Sequence, residues 1–243
     1  MDPKNSIYRE SFTIRASEVD LNGKATLASL AGLMQEIAGN HASTMNFDIT
    51  DLHKQDLTWV LHRLDIRIDR YPEWREEIII ETWPNAGDAL RAYRDYRIKS
   101  TDGEILGVAL SYWMIINIKS RRPSRIPREI LEIRLGEKDH VLEIKKDRPK
   151  PASGSDRHST FRVRRADLDM NLHVNNARYL EWITETLAEK AATSIKRADI
   201  MFMKESGLGD QITSHMVRRP EQNSSHRLLN QDDEIIALAE LNY

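Results

Sequence analysis

The sequence contains itself twice. Shifted by 149 residues, the stretch from Phe12 to Glu36 aligns without a gap on the stretch from Phe161 to Glu185. Phe12/Phe161, Arg15/Arg164, Asp20/Asp169, Asn22/Asn171 and Glu36/Glu185 are identical pairs, and Glu18/Asp167 and Val19/Leu168 are conservative ones. A fixed internal period means a duplicated structural unit. The length of 243 residues, suited to one large domain or two small ones, agrees with two related units.

Each unit reads the same way. A short strand precedes the shared segment. In the first unit an apolar stripe then recurs at spacings of three and four, through Leu27, Leu30, Ala31, Met34, Ala38, His41 and Met45, which predicts a helix of about five turns. The second repeats the stripe through Ala177, Leu180, Ile183 or Thr184, Leu187, Ala188 and Ala191. Four strand patterns follow the first stripe, over Trp59–Asp69, Glu76–Trp83, Leu90–Lys99 and Ile105–Ile118, and four follow the second, over Ser194–Met203, Asp210–Arg218, Ser225–Asn230 and Glu234–Asn242. A second register, offset by 134, pairs Ile66 with Ile200 and Ile78 with Ile212. One long helix hiding one face of an antiparallel sheet is an α+β layer. Two such sheets joined edge to edge would remove two exposed edges.

The units are expected at 1–135 and 161–243, with a charged linker at 136–160 and a short helix over Ile126–Leu135. Net charge is −2, so the chain is no globally basic nucleic-acid binder. From Lys119 to Arg165, however, 15 Lys/Arg face 7 Asp/Glu, a local +8 that suits either a solvated linker or a face for an acidic partner. No run is apolar enough to span a membrane, and Met1–Arg9 lacks a secretory signal, so a cytoplasmic protein is expected.

Chemistry is bounded first by what is missing. With no cysteine there is no disulfide, thiolate metal site or thiol nucleophile. No Gly-x-Ser-x-Gly elbow, His-Glu-x-x-His, phosphate loop or dinucleotide fingerprint occurs, and the eight histidines show no metal-ligand spacing. What remains is Asp169-Met170-Asn171-Leu172-His173-Val174-Asn175-Asn176, just before the second helix. Asx residues there are ordinary helix caps. An acid, an amide, an imidazole and free N–H groups at a helix start are also the parts that polarise a carbonyl and hold an oxyanion. The repeat separates these readings. Asp20 and Asn22 keep the acid and the amide, but Lys24 stands where His173 stands, the pattern of one working site and one relic. In the 134-residue register Glu205 answers to Tyr71. It is either a turn residue or a carboxylate that activates water beside His173.

The segment Arg165–Trp182 resembles the second-half signature of acyl-ACP thioesterases from plants and bacteria. Leu33-Met34-Gln35-Glu36, Asn40-His41-Ala42, Trp59-Val60-Leu61, Arg70-Tyr71-Pro72-Glu73-Trp74, Glu81-Thr82-Trp83, Arg94-Asp95-Tyr96 and Ser111-Tyr112-Trp113-Met114 resemble first-half segments of that family, in order. With no transit peptide, the chain is similar to a bacterial member. The resemblance implies a tandem double hotdog, two antiparallel sheets each wrapped around a long central helix. It implies hydrolysis of fatty acyl-acyl carrier protein to free fatty acid, with neither cofactor nor metal. The family's catalytic Asp-x-Asn-x-His positions fall on Asp169, Asn171 and His173, and its catalytic Glu on Glu205. Plant members commonly carry Cys after that Glu; here it is Ser206, for which no motif supports activation.

In this reading the His173–Glu205 pair binds and deprotonates a water, Asn171 orients the water or the thioester, Asp169 fixes the turn or the His173/Asn171 geometry, and backbone N–H groups of Val174, Asn175 and Asn176 hold the oxyanion. The first unit binds the acyl chain, with Leu27, Leu30, Ala31, Met34, Ala38, Trp59, Trp83 and Trp113 as lining or plain core. Arg121, Arg122, Arg125, Arg128, Lys145 and Lys146 are the candidates for docking the acidic carrier protein. The rivals are an acyl-CoA thioesterase of the same fold and a non-catalytic acyl-binding hotdog protein, with a dehydratase further behind. A tandem doublet is self-sufficient as a monomer, and a homodimer is the other expectation.

Overall fold

Thr26 opens the first helix. Its hydroxyl accepts from the Ser29 N–H at 3.0 Å, and the helix α1 then runs over Leu27–Thr44 with Leu30, Met34, Ile37 and His41 on its buried face. The structure, a computed structural model, describes residues 7–85, 87–133, 139–151 and 153–243.

The first half has strand β1 (Tyr8–Thr13), α1, a short α2 (Ile49–His53), then β2 (Leu57–Ile68), β3 (Glu77–Asn85), β4 (Ala92–Ser100), β5 (Ile105–Asn117) and a two-residue β6 (Pro123–Ser124). A short α3 (Arg128–Leu131) follows. The second half has β7 (Arg157–Arg162), α4 (Asn176–Thr184), α5 (Glu189–Ala192), β8 (Arg197–Phe202), β9 (Gln211–Arg219), β10 (Asn223–Leu229) and β11 (Ile235–Asn242). All pairings are antiparallel, in the order β1-β3-β4-β5-β2-β8-β11-β10-β9-β7, with β6 beside β5. The sheets of the two halves join edge to edge at β2 and β8 into one, and one apolar core under it holds both α1 and α4. Each half is a sheet around a helix, the hotdog arrangement.

At the seam Asp65 faces Asp199, Leu64 faces Ile200 and Ile66 faces Ala198. The 134-residue offset equates Asp65 with Asp199, its own partner, and equates Leu64 with Ala198, the partner of Ile66, and Ile66 with Ile200, the partner of Leu64, so a local two-fold axis passes between the two aspartates. Arg63 Nε and Nη2 donate to Asp199 at 2.8 and 2.7 Å, and Arg197 Nε and Nη2 donate to Asp65 at 3.0 and 2.7 Å.

Three expectations change. The second helix stops at Thr184 instead of continuing to Ala191. Thr184 and Thr186 turn their hydroxyls back onto the carbonyls of Glu181 and Ile183, and Thr186 and Leu187 close with bonds three residues back, so the helix tightens and ends. The short helix over Ile126–Leu135 contracts to Arg128–Leu131 behind Pro127, and Leu135 lies outside the described residues. The stretch expected as a linker also contains β7 and a strap, residues 139–151. Asp95, fully buried, accepts from the Val141 N–H at 2.9 Å and sits 2.9 Å from His140 Nδ1. Leu142 packs on Tyr93, Val108, Leu110 and Tyr112, which covers the outer face of β4 and β5 and explains why β5 is buried on both faces over Leu106–Tyr112. Among the described residues no helix is long and apolar enough to cross a membrane.

Candidate active site

The two repeats of the Asp-x-Asn segment fold into the same turn. Asp169 Oδ1 accepts from the N–H groups of Asn171 (2.8 Å) and His173 (3.2 Å), and the Asp169 N–H donates to the His173 carbonyl at 2.8 Å. In the first half Asp20 Oδ1 accepts from Asn22 (2.8 Å) and Lys24 (3.1 Å), and the Asp20 N–H donates to the Lys24 carbonyl at 2.8 Å. The aspartate therefore builds the turn in both halves, and the imidazole is what only one half carries. The turn needs a left-handed residue at its fourth position, one before its end. The first half supplies Gly23 (φ 73°) and the second Leu172 (φ 63°), which is exposed and strained, since a Cβ is disfavoured there.

A backbone bond stitches this turn to the loop after β8: the Val174 N–H donates to the Ser206 carbonyl at 3.0 Å. The matching bond in the first half runs from Ala25 to Pro72 at 2.8 Å. Glu205 is thereby brought to His173, with Oε2 3.3 Å from Nε2. Arg121, on the turn between β5 and β6, also contacts Glu205 Oε2 through Nη2. Burial pushes the His173 imidazole below its usual pKa, and the Arg121 charge pushes it further, against a smaller opposing pull from Asp169. The neutral imidazole is favoured. In the first half, Tyr71 stands in the place of Glu205 and donates its hydroxyl to the Ile195 carbonyl at 2.7 Å.

Two of the three expected oxyanion donors are spent. The Val174 N–H is used in the stitch, and the Asn175 N–H donates to the Asp167 carbonyl at 2.9 Å. Asn175 instead caps α4, its Oδ1 accepting from the Ala177 N–H at 2.9 Å. The Asn176 N–H has no partner among the described residues, leaving it as the donor at the helix start. Ser206 is buried, with its Oγ 3.4 Å from the Tyr179 hydroxyl.

Asp169, Asn171, His173 and Glu205 line one cleft of about 1330 Å3 that continues into the first half. Its walls there are Gly32, Gln35, Ala38 and Ala42 of α1, Trp59, Val60 and Leu61 of β2, and Trp113, Met114 and Ile116 of β5. Of the expected lining, Ala38, Trp59 and Trp113 reach the cleft; Leu27, Leu30, Ala31 and Met34 are core, and Trp83 is fully buried elsewhere.

The expected docking cations separate. Arg122, Arg125 and Lys146 are exposed and make no ion pair among the described residues, and Arg128 is exposed with Glu132 at 2.6 Å. Arg121 is turned onto Glu205. Lys145 is turned inward, its Nζ 2.6 Å from Asp199 and 3.2 Å from Asp65. The seam itself escaped the sequence reading, although Arg63/Arg197 and Asp65/Asp199 are identical pairs in the register that matched Ile66 with Ile200.

Comparison with known proteins gives one family over most of the chain. Residues 5–134 match the acyl-ACP thioesterase N-terminal domain and residues 151–243 the acyl-ACP thioesterase C-terminal domain. The chain is 32% identical over 208 residues to oleoyl-acyl carrier protein thioesterase 2 of Arabidopsis thaliana, covering 75% of this chain and 54% of that protein. It is 35% identical over 206 residues to the Coriandrum sativum oleoyl-acyl carrier protein thioesterase, covering 75% and 54%. The chain thus spans about half the length of these relatives. An acyl-ACP thioesterase structure from Bacteroides thetaiotaomicron superimposes with a TM-score of 0.89 at 27% identity, covering 100% of this chain and 99% of that one. The 12:0-ACP thioesterase of Umbellularia californica gives 0.86 at 26%, covering 97% and 96%.

Proposed function

The chain belongs to the acyl-ACP thioesterase family, and on that footing we propose that it hydrolyses the thioester of a fatty acyl-acyl carrier protein, releasing free fatty acid. The observation that carries the reading is the His173–Glu205 pair, 3.3 Å apart, set in a cleft whose other end is walled by apolar side chains of the first half. A water held by the pair attacks the thioester carbonyl carbon. Its proton passes to the pair. The Asn171 amide orients the water or the carbonyl, and the Asn176 N–H receives the developing oxyanion. The carbon–sulfur bond then breaks, and the proton goes to the departing thiolate. Asp169 acts through the turn it builds. The acyl chain lies in the first half of the cleft. The exposed cations Arg122, Arg125, Arg128 and Lys146 offer a face of the right sign for the acidic carrier. A soluble carrier as substrate fits the cytoplasm.

The test is hydrolysis of matched acyl-ACP and acyl-CoA substrates over a series of chain lengths. His173→Ala, Asn171→Ala and Glu205→Ala are compared with the parent. Loss of a residue that moves the proton is expected to lower kcat by roughly 10²–10⁴-fold. Folded variants with full activity would remove the assignment, and a preference for acyl-CoA would move the protein to the other substrate class.

A further inference from the structure

We propose that Arg121 is a positioning residue of the hydrolytic site, delivered by the first half to hold the Glu205 carboxylate against His173. The inference rests on the hydrolytic reading above and adds a residue to it.

Three observations converge. The same carboxylate oxygen, Glu205 Oε2, meets both Arg121 Nη2 and, at 3.3 Å, His173 Nε2. Arg121 lines the same cleft as the pair. Its backbone also takes the left-handed conformation, φ 55°, that a residue with a side chain avoids. That conformation is held in place. The Arg121 N–H donates to the Asn117 carbonyl at 2.8 Å, the Asn117 N–H to the Arg122 carbonyl at 2.9 Å, and the Ser120 N–H to Asn117 Oδ1 at 2.9 Å. Strain kept by surrounding bonds and facing a site is a mark of function.

Stability does not explain the contact. Arg121 is half exposed and Glu205 one-third exposed, and ion pairs of that kind add little to folding. What the guanidinium does is geometric and electrostatic. It fixes a side chain on a loop, and it compensates the carboxylate so that the neighbouring imidazole is not drawn into its charged form. The other groups around the pair do not replace it. Asp169 is bound into its own turn and pulls His173 the other way. Lys204, adjacent to Glu205 in sequence, is turned away onto Glu234 at 2.5 Å. Glu36 of α1 and His53 of α2 line the cleft, but among the described residues neither makes an ion pair or hydrogen bond with the pair. The catalytic apparatus therefore draws on both halves of the chain.

The experiment measures kcat and KM for acyl-ACP across pH in Arg121→Gln and Arg121→Lys, beside Glu205→Ala and His173→Ala. Removing a cation next to an imidazole raises the imidazole pKa, so the base is protonated at higher pH. Arg121→Gln is expected to lower kcat about 10- to 100-fold with KM nearly unchanged, and to move the acid limb of kcat/KM upward. Arg121→Lys should recover part of kcat. An NMR titration of the His173 ring, which needs no substrate, should show the same upward shift in Arg121→Gln. A raised KM with unchanged kcat would make Arg121 a docking residue and overturn the proposal, as would an unchanged pH profile and ring titration. If Glu205→Ala and His173→Ala keep full activity, the hydrolytic reading falls as well, and the two failures are told apart.

Discussion

Asp20 and Asp169 make an internal control that few sites offer. Both hold the same turn by the same bonds, yet one turn presents lysine and the other histidine. Asp20→Ala and Asp169→Ala should therefore each cost about 1 kcal/mol of stability, read from urea unfolding, for loss of turn hydrogen bonds. Only Asp169→Ala should lower kcat, because in the proposed mechanism only there does the turn set the position of a proton-transfer group. Equal kinetic effects, or none, would separate the turn from catalysis. The left-handed residue within the turn shows the same contrast: the half with the imidazole carries Leu172 where the other carries Gly23, so of the two turns only the one bearing His173 is strained.

At the scale of elements, α1 was legible in the sequence because its apolar spacing is unbroken from Leu27 to Met45, and all but the ends of the long strands followed from alternation and turn residues. The end of α4 was not, since Leu187, Ala188 and Ala191 keep a helical spacing while two threonine hydroxyls, invisible to periodicity, close the helix at Thr184. The site was half legible. His173 announced itself through the repeat, but the Arg121–Glu205 contact joins residues far apart in sequence, and no local pattern encodes it. Along α1, Gly32 lines the cleft, and a Cβ there would meet nothing within 4 Å. Gly32→Leu should leave the helix intact or firmer, since glycine in a helix interior costs roughly 0.5–1 kcal/mol. With the acyl chain in the first half of the cleft as proposed, it should also take room from that chain. A buried methylene is worth about 0.8 kcal/mol, so kcat/KM should fall roughly fourfold for each methylene displaced. Long acyl-ACP substrates should be hit harder than short ones, and a uniform loss would place the chain elsewhere.

Across the whole molecule, the seam between β2 and β8 carries the charges that join the halves. Burial alone would raise the Asp199 carboxyl; the hydrogen bonds from Arg63 and Lys145 override it and hold the group below the usual carboxylate range. Asp199→Ala leaves the Arg63 guanidinium, only 4% exposed, without its partner. A buried pair broken on one side typically costs about 3–5 kcal/mol, and a urea midpoint shift of that size is expected. A change below about 1 kcal/mol would mean that the strap carbonyls of Lys145 and Asp147, which accept from Arg63 Nη1 at 3.3 and 2.8 Å, suffice for it. Lys145 sits where the local two-fold axis passes, within reach of both aspartates. An axis has room for one ion. Two separate subunits meeting through this seam would each bring a strap, and two ammonium groups would compete for a single place. Two carboxylates, two guanidiniums and one ammonium sum to +1, an odd charge that no symmetric pair can reach by doubling. The seam thus has a stoichiometry available only to halves joined in series, with one linker to serve both.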